Sequence, residues 1–226
     1  MNNNVFCYWR NLDGSSNLPP YIQLCFDTIQ KYHPQVELIT PETLSVDVCD
    51  DFGSFIPAHQ ADYLRPRYIA KYGGLFVDID TIFFEDFYES EYFSEQAEMI
   101  SFGYKQNQPT IGVLYGKKDC HYMNQWTKEQ DKRIGKNKSW TSLGADSLWK
   151  IDLKSSDCHE YPATAIQPFR WTETEKFNQD IELEKQLCFA LFNKVLPKNI
   201  KEMSRKELLE SEKLIGKLFR KALGNE

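Results

Sequence analysis

Residues 61–80 of the chain read ADYLRPRYIAKYGGLFVDID. Apolar and aromatic side chains in the first part recur with the spacing of one helix face: Ala61, Leu64, Tyr68 and Tyr72. Pro66 lies inside this pattern and is expected to kink the helix or to break its hydrogen-bond ladder. Gly73-Gly74 then stops the helix, and the apolar residues 75–77 are typical of a buried strand. The stretch predicts a helix over residues 58–72, a glycine turn and a strand.

Short apolar runs and amphipathic segments alternate along most of the chain. The further predicted strands are residues 5–9, 36–40, 99–103 and 111–115. The further predicted helices run from Pro19-Pro20 to about His33, from 120 to 132 and from 146 to 151. Strands that alternate with helices favour an α/β fold, with a mostly parallel sheet and helices on both of its faces.

The composition is that of a folded protein. The 226 residues are 41% hydrophobic and 14% aromatic, which is enough for one sizeable core. The 33 acidic and 27 basic residues give a net charge of −6. Because phosphate backbones require clustered Lys and Arg, this charge argues against nucleic acid as a partner.

After Pro197 the composition changes, since Lys and Glu become frequent and apolar residues take amphipathic helical spacing. We therefore predict a main domain over residues 1–197 and a C-terminal helical extension over 198–226. Residues 213–223 carry four basic and no acidic side chains: Lys213, Lys217, Arg220 and Lys221. This segment is predicted to pack on the domain or on a partner protein; peripheral contact with an anionic membrane is the alternative.

The cysteines and the apolar runs bear on the cellular compartment. The six cysteines lie far apart and form no CxxC pair, which argues against structural zinc. The first residues have neither a basic region nor a long apolar core of the kind found in signal peptides. No run approaches the roughly 20 apolar residues needed to span a bilayer. We expect reduced thiols and a cytoplasmic location, with any contact to the plasma membrane peripheral and at its inner face.

Two carboxylates, Asp78 and Asp80, interrupt an otherwise apolar run. In extended backbone, residues i and i+2 point to the same side, so both could share one hard divalent cation such as Mg²⁺ or Mn²⁺. Their burial would be costly unless a cation or hydrogen bonds compensated it. At the carboxyl end of a strand in an α/β sheet they would also lie where ligands usually bind. The pair is therefore a candidate metal site.

The motifs over about residues 58–86 resemble the signature of the glycosyltransferases with a DxD sugar-binding region. That family includes bacterial capsular polysaccharide synthesis proteins, fungal Golgi mannosyltransferases and the catalytic domains of clostridial glucosylating toxins. Its pattern has a helical segment of Ser or Ala, Asp, two hydrophobic residues and Arg. A Tyr-Gly-Gly turn, hydrophobic residues and Asp-x-Asp follow, and all three pieces occur here in that order.

The resemblance implies a GT-A-like, Rossmann-type fold and a metal-dependent glycosyltransferase. The implied donor is a nucleotide-sugar, most commonly a UDP-sugar, and the implied acceptor is a saccharide or a lipid-linked saccharide. The implied process is capsular or surface polysaccharide synthesis, with retention of configuration at the anomeric carbon.

The resemblance also assigns roles to the charged residues. Asp62 and Arg65 would contact the donor sugar or ribose, and their i, i+3 spacing independently places both on one helix face. Asp78 would contact ribose and sugar hydroxyls, or the metal through water. Asp80 would ligate Mn²⁺ or Mg²⁺ directly. The implied catalytic group is therefore Arg65, Asp78 and Asp80.

Three further residues are candidates by the same resemblance. Tyr8 and Trp9 match a Tyr-Trp pair near the start, and Trp9 would stack on the nucleotide base, although a core role is also open. Asn193 is a candidate metal ligand in a segment that often reads His-Leu-aromatic-Asn in relatives. This chain has Ala190 at the His position.

The segment after Gly144 holds the last candidates. Asp146 and Trp149 could line the acceptor side of a site. A helix that starts at Asp146 and buries Trp149 in the core would explain both residues equally well.

Two alternative functions fit parts of the sequence. Phosphatases of the haloacid dehalogenase type also place Asp-x-Asp after an apolar strand, and Asp78 would then be the nucleophile and Asp80 the acid and base. Against this, their motif usually lies near the N-terminus, and the chain offers no convincing downstream acidic pair. The other alternative is a degenerate module that binds a nucleotide-sugar or only a partner protein, with Ala190 as the sign of decay.

Overall fold

The structure is a computed structural model that describes residues 3–12, 14–15, 17–136, 139–182 and 186–224. Its strands are β1 (Val5–Tyr8), β2 (Glu37–Ile39), β3 (Gly74–Val77), β4 (Thr81–Phe83), β5 (Met99–Lys105), β6 (Gln108–Gly116), β7 (Cys158–Pro162) and β8 (Cys188–Ala190). Its α-helices are α1 (Pro20–Tyr32), α2 (Pro57–Tyr72), α3 (His121–Asp131), α4 (Ala145–Leu148), α5 (Lys198–Glu202), α6 (Arg205–Glu210) and α7 (Leu214–Leu223). Short 3₁₀ helices lie at Asp50–Ser54, Phe87–Glu89, Ala163–Ala165 and Trp171–Asn178.

The chain divides into two compact units, each built from separate stretches of sequence. Unit 1 contains residues 1–10, 37–78 and 92–163, and unit 2 contains residues 11–36, 79–91 and 164–226. The chain passes from unit 1 to unit 2 inside the Asp78-Ile79-Asp80 motif, directly after Asp78. Helices α5, α6 and α7 belong to unit 2 together with α1. The proposed domain boundary at residue 197 stays a prediction.

Unit 1 is built on a six-stranded sheet with the strand order β2-β1-β3-β6-β5-β7. Strand β1 pairs in parallel with β2 and β3, and β5 pairs in parallel with β7. The pairings of β6 with β3 and β5 are antiparallel. Because only two residues connect β5 to β6, these strands form a hairpin, which requires antiparallel pairing. The prediction of an α/β fold with a mostly parallel sheet is confirmed, with the sheet mixed at this hairpin.

Aromatic side chains dominate the core of unit 1. Tyr68 of α2 is fully buried and meets the rings of Phe6 and Phe76 edge-on, with centroids 5.3 and 6.5 Å away. Trp126 of α3 is also fully buried, and its indole N–H donates to the hydroxyl of Ser147 at 2.8 Å. These contacts hold α2 to the sheet and α3 to α4.

Helix α2 continues through Pro66, which was expected to kink it or to break its ladder. Proline has no N–H, so the carbonyl of Asp62, four residues earlier, loses its usual helical donor. The side chain of Gln130 replaces it, because its Nε2 donates to Asp62 O at 2.7 Å. The gap in the ladder is therefore filled by a side chain from α3, and the predicted helix over residues 58–72 is confirmed.

Unit 2 combines the antiparallel pair of strands β4 and β8 with α1 and the C-terminal helices. Helix α7 packs on α1 through its apolar face, which is buried: Leu214, Ile215, Leu218, Phe219 and Ala222. Lys217, on the charged face, pairs with Asp180 at 2.7 Å and Glu182 at 2.6 Å. Packing of residues 213–223 on the domain, one of their predicted roles, is therefore observed for this apolar face.

None of the helices in the described part of the chain has the length and apolar character needed to cross a bilayer.

The turn between α2 and β3 is close-packed. Gly74 has a φ of +124°, and a β-carbon there would lie 2.4 Å from the carbonyl oxygen of Asn4. The Asn4 side chain donates in turn to the carbonyls of Tyr72 and Gly73, both at 3.2 Å, and so caps the end of α2. The turn therefore fixes where β3, and the aspartates after it, begin.

Replacement of Gly74 by Ala is expected to destabilise unit 1. The backbone conformation alone should cost about 1–3 kcal/mol, and the clash with Asn4 adds to it. Gly53→Ala is the matched control, because nothing lies within 4 Å of a β-carbon at Gly53. Urea denaturation followed by circular dichroism measures both variants. Equal midpoints for the two variants would contradict the assigned role of the turn.

Candidate functional site

A buried guanidinium joins two of the predicted site carboxylates in unit 1. Arg65 is fully buried, and its Nη1 lies 3.5 Å from Oδ1 of Asp62, one helical turn away. Its Nη2 donates to Oδ1 of Asp78 at the end of β3. The guanidinium also lies over the ring of Phe76, with its carbon 5.1 Å from the centroid. The structure therefore brings Asp62, Arg65 and Asp78 together, as their predicted roles require.

The two carboxylates differ in their surroundings. The side chain of Asp78 is 39% exposed, and its backbone N–H donates to Gly112 O at 2.7 Å, which extends the β3–β6 pairing by one residue. Asp62 is buried, and burial raises its pKa to about 7, with Arg65 opposing and Asp78 adding to the rise. Asp78 therefore offers carboxylate surface to solvent, whereas Asp62 changes protonation near neutral pH.

One donor in this group has no partner. The Nε of Arg65 is buried and makes no hydrogen bond within the described part of the chain. An unpaired buried donor costs about 1–3 kcal/mol, so such groups in folded proteins call for a functional or structural reason.

Unit 2 contains both predicted metal ligands, Asp80 and Asn193. The backbone N–H of Asn193 donates to Oδ2 of Asp80 at 2.6 Å, and the N–H of Leu191 donates to the Asp80 carbonyl at 2.8 Å. Phe192, between them, has the left-handed φ of +56°, which is uncommon for a residue other than glycine. The Tyr21 hydroxyl donates to Oδ1 of Asn193 at 2.7 Å. Asp80 and Asn193 are thus adjacent although 113 positions separate them.

The side chains of Asp80 and Asn193 carry the types of oxygen that a hard divalent cation accepts. These are a carboxylate and a carboxamide, both suitable for Mg²⁺ and Mn²⁺. The negative charge of Asp80 contributes, after burial, to raising the pKa of Tyr21.

Tyr8 and Trp9 take different positions in unit 1. Tyr8 is 4% exposed, and its hydroxyl donates to Oε1 of Gln60 at 2.8 Å. Trp9 is half-buried, and its backbone N–H donates to Ile39 O at 3.0 Å. Burial gives Tyr8 a packing role, whereas Trp9 is only partly buried.

The Asp146 carboxylate is tied into its own loop. It accepts hydrogen bonds from the hydroxyls of Thr141 at 2.8 Å and Ser139 at 3.1 Å. Trp149 is 42% exposed and donates to Pro109 O at 2.9 Å, so the alternative that placed Trp149 in the core is wrong. The predicted helix over residues 146–151 is observed only as the single turn of α4, because the chain leaves helical geometry at Trp149.

A separate group in unit 1 also has the residue types of a metal site. Ligand atoms of Glu98, His121 and Asp157 lie within 4.8 Å of one another. Each has a structural partner: Oε1 of Glu98 accepts the N–H of His121 at 2.6 Å at the start of α3, and Asp157 accepts the Tyr122 hydroxyl at 2.7 Å. The group contains none of the residues of the Asp-x-Asp region.

Three neighbours of the predicted residues escaped prediction: Tyr21, Gln130 and Gly144. Tyr21 lies 172 positions from Asn193, so no local pattern links them. A β-carbon on Gly144 would lie 2.5 Å from Oδ2 of Asp62, a contact that spacing cannot reveal. Gln130 had one signal, since Pro66 inside a helix implies that a distant donor must serve the freed carbonyl.

The α/β fold is similar to the GT-A fold of solved glycosyltransferases. The apo-form glycosyltransferase GlyE of Streptococcus pneumoniae TIGR4 aligns with a TM-score of 0.54 and 14% identity, covering 99% of this chain and 60% of that one. A second GlyE structure aligns with a TM-score of 0.52, 15% identity and coverage of 98% and 60%. The PaToxG glycosyltransferase aligns with a TM-score of 0.46 and 16% identity, covering 66% of this chain and 67% of that one.

The chain belongs to the capsular polysaccharide synthesis protein family, whose model matches residues 1–115. That range contains the Asp62, Arg65 and Asp-x-Asp positions. No curated protein sequence matches the chain significantly. This chain spans 60% of the length of GlyE. Family and fold together confirm the predicted class of protein.

The raised pKa of Asp62 makes stability depend on pH. From its ordinary value of 3.8 up to about 7, the folded protein keeps a proton that the unfolded chain has lost. The stabilisation from Asp62 is therefore fully present below pH 3.8 and is lost as the pH rises to about 7. The free energy of unfolding falls by about 4 kcal/mol at most over this range. Asp62→Asn should remove this stabilisation, so the variant should gain stability relative to the wild type from pH 4 to 8. Urea unfolding across this range measures the difference, and parallel profiles would contradict the assignment.

Proposed function

We propose that this protein is a metal-dependent glycosyltransferase that moves a sugar from a nucleotide-sugar, in the first place a UDP-sugar, to an acceptor. The acceptor is a saccharide or a lipid-linked saccharide, and the process is capsular or surface polysaccharide synthesis. The observation that carries the proposal is the buried Arg65 between Asp62 and Asp78, at the head of the Asp-x-Asp motif. Membership of the capsular polysaccharide synthesis family supports it.

The residues of unit 1 would bind the donor. The exposed part of the Asp78 carboxylate can accept hydrogen bonds from ribose or sugar hydroxyls. The guanidinium of Arg65 is buried beside Asp78, and its fixed positive charge favours the negative charge that develops on the diphosphate. Asp62 holds the guanidinium in place from the other side.

Asp80 and Asn193 would hold Mn²⁺ or Mg²⁺. When bound, the cation supplies stabilisation of the negative charge on the leaving diphosphate. Both side chains are held in position by hydrogen bonds. The backbone N–H of Asn193 orients the Asp80 carboxylate, and the Tyr21 hydroxyl orients the Asn193 carboxamide. Ligand side chains that are held in this way before binding lose less entropy when the metal arrives.

Trp9 and Asp146 complete the proposal. The ring of the partly buried Trp9 would stack on the nucleotide base, and the Asp146 loop would face the acceptor.

Retention of the anomeric configuration is part of the proposal. We place the protein in the cytoplasm, and any contact with the inner face of the plasma membrane would involve charged side chains of residues 213–223, because the apolar face of α7 is buried.

The alternatives are less well supported. A phosphatase would need Asp78 as nucleophile, but one of its oxygens already accepts from Arg65, and both fold and family favour glycosyltransferases. A degenerate binding module would bind the nucleotide-sugar without turnover. Donor hydrolysis or transfer in the presence of Mn²⁺ distinguishes it from an enzyme.

A thermal-shift screen of nucleotide-sugars, with and without Mn²⁺, tests the proposal. A donor at 100 times its dissociation constant should stabilise the protein by about 2.7 kcal/mol, which corresponds to about 5–10 °C. Asp80→Asn keeps the shape of the side chain but removes its charge, so the Mn²⁺-dependent part of the shift should be lost. Asp51→Asn, at an exposed position outside the motif, is the control and should respond like the wild type.

The outcomes separate the hypotheses. A flat screen with every nucleotide-sugar would reject donor binding. A shift that survives in Asp80→Asn would reject the metal site while leaving donor binding intact. Hydrolysis of simple phosphate esters that ignores added nucleotide-sugar would favour the phosphatase.

A further inference from the structure

The side chain of Gln130 is buried and links the backbone around Asp62 to that of Leu143. Gln130 of α3 is fully buried, and its Nε2 donates to the carbonyls of Asp62 and Leu143, both at 2.7 Å. Its Oε1 accepts from Nη1 of Arg67 at 2.6 Å. Both amide hydrogens and the amide oxygen therefore have partners, which is the condition under which a buried amide stabilises one arrangement.

The first of these bonds serves an unusual acceptor. Pro66 cannot donate to the Asp62 carbonyl. This carbonyl therefore needs a hydrogen-bond donor from outside the regular helical ladder. Gln130 supplies that donor. The turn of α2 that carries Asp62 is consequently held by α3 as well as by its own helix.

The second bond reaches the other side of the Asp62 carboxylate. Leu143 directly precedes Gly144, and a β-carbon on Gly144 would lie 2.5 Å from Oδ2 of Asp62. The backbone at Gly144 is thus in contact with the carboxylate. Through one amide group, Gln130 ties the backbone of Asp62 to the segment against which the Asp62 side chain packs.

We propose that Gln130 is a positioning residue for Asp62, which it holds between Gly144 and Arg65 by replacing the helical hydrogen bond that Pro66 removes. That Asp62 serves a donor site rests on the proposed function. The positioning itself is a property of the protein without any ligand, and it is tested on the free protein.

The test is the titration of Asp62 in Gln130→Met, a variant that keeps the length of the side chain and removes its polar atoms. Carboxyl ¹³C NMR follows the titration, with the Asp62 signal assigned by its loss in Asp62→Asn. The charged groups that face Asp62 are Arg65 on α2 and Asp78 after β3. In the wild type the pKa should be about 7. In Gln130→Met it should fall toward 3.8, because the carboxylate gains access to water.

Rescue distinguishes positioning from general core packing. Pro66→Ala restores an N–H that can donate to the Asp62 carbonyl within the helix. Added to Gln130→Met, it should return the Asp62 pKa toward 7 and raise the melting temperature by about 2–4 °C more than it does in the wild type. An Asp62 pKa that is unchanged in Gln130→Met, or equal effects of Pro66→Ala in both backgrounds, would overturn the proposal.

Arg67→Met is the control. It removes the partner of the Gln130 oxygen, together with the Arg67 contacts to Tyr63 and Asp131, but leaves both N–H bonds of Gln130 in place, so the Asp62 titration should not change. If Gln130→Met does not fold, recovery of a cooperative melting transition in the double variant supports the proposal, and failure to recover overturns it. A flat nucleotide-sugar screen together with a shifted Asp62 pKa would reject the proposed function and keep the role of Gln130.

Discussion

A guanidinium removed from water must be matched by carboxylates, and this requirement organises unit 1. Arg65 is fully buried, so its charge is tolerable only with Asp62 on one side and Asp78 on the other. Asp62 and Arg65 share a helix, but Asp78 follows the next strand. The helix and the strand end must therefore approach closely, and the residues between them have to allow it.

The Gly73-Gly74 turn allows that approach. Gly74 adopts a φ of +124° directly against the Asn4 carbonyl, and Leu75 donates to that same carbonyl at 2.9 Å. Strand β3 consequently starts beside β1, with Val5 opposite Leu75 and Phe6 opposite Phe76. A strand placed in this way ends at Val77, which delivers Asp78 to Arg65. The tight turn and the ion pairs thus support the same register.

Local patterns predicted the parts of the fold and site that depend on local contacts. Helix α2, the glycine turn, β3 and the Asp62–Arg65 pair lie within residues 57–77, where periodicity and motif spacing are informative. Contacts between distant segments were not predictable: Tyr21 meets Asn193 across 172 positions, and Gln130 meets Asp62 across 68. The sequence did not decide whether Trp149 lies in the core or lines the site, because a single aromatic residue carries no periodicity. In the structure Trp149 is exposed.

The absence of a histidine at Ala190 has a smaller effect on this geometry than the motif suggests. Ala190 lies in β8 opposite Thr81, and this backbone pairing places the following residues beside Asp80. The N–H groups of Leu191 and Asn193 donate to Asp80 without any help from the side chain at position 190. What the substitution changes is the ligand chemistry, since the remaining donors at Asp80 and Asn193 are oxygens. Oxygen ligands suit Mg²⁺ and Mn²⁺, whereas imidazole favours zinc and later transition metals, so Ala190 biases the proposed site toward hard cations.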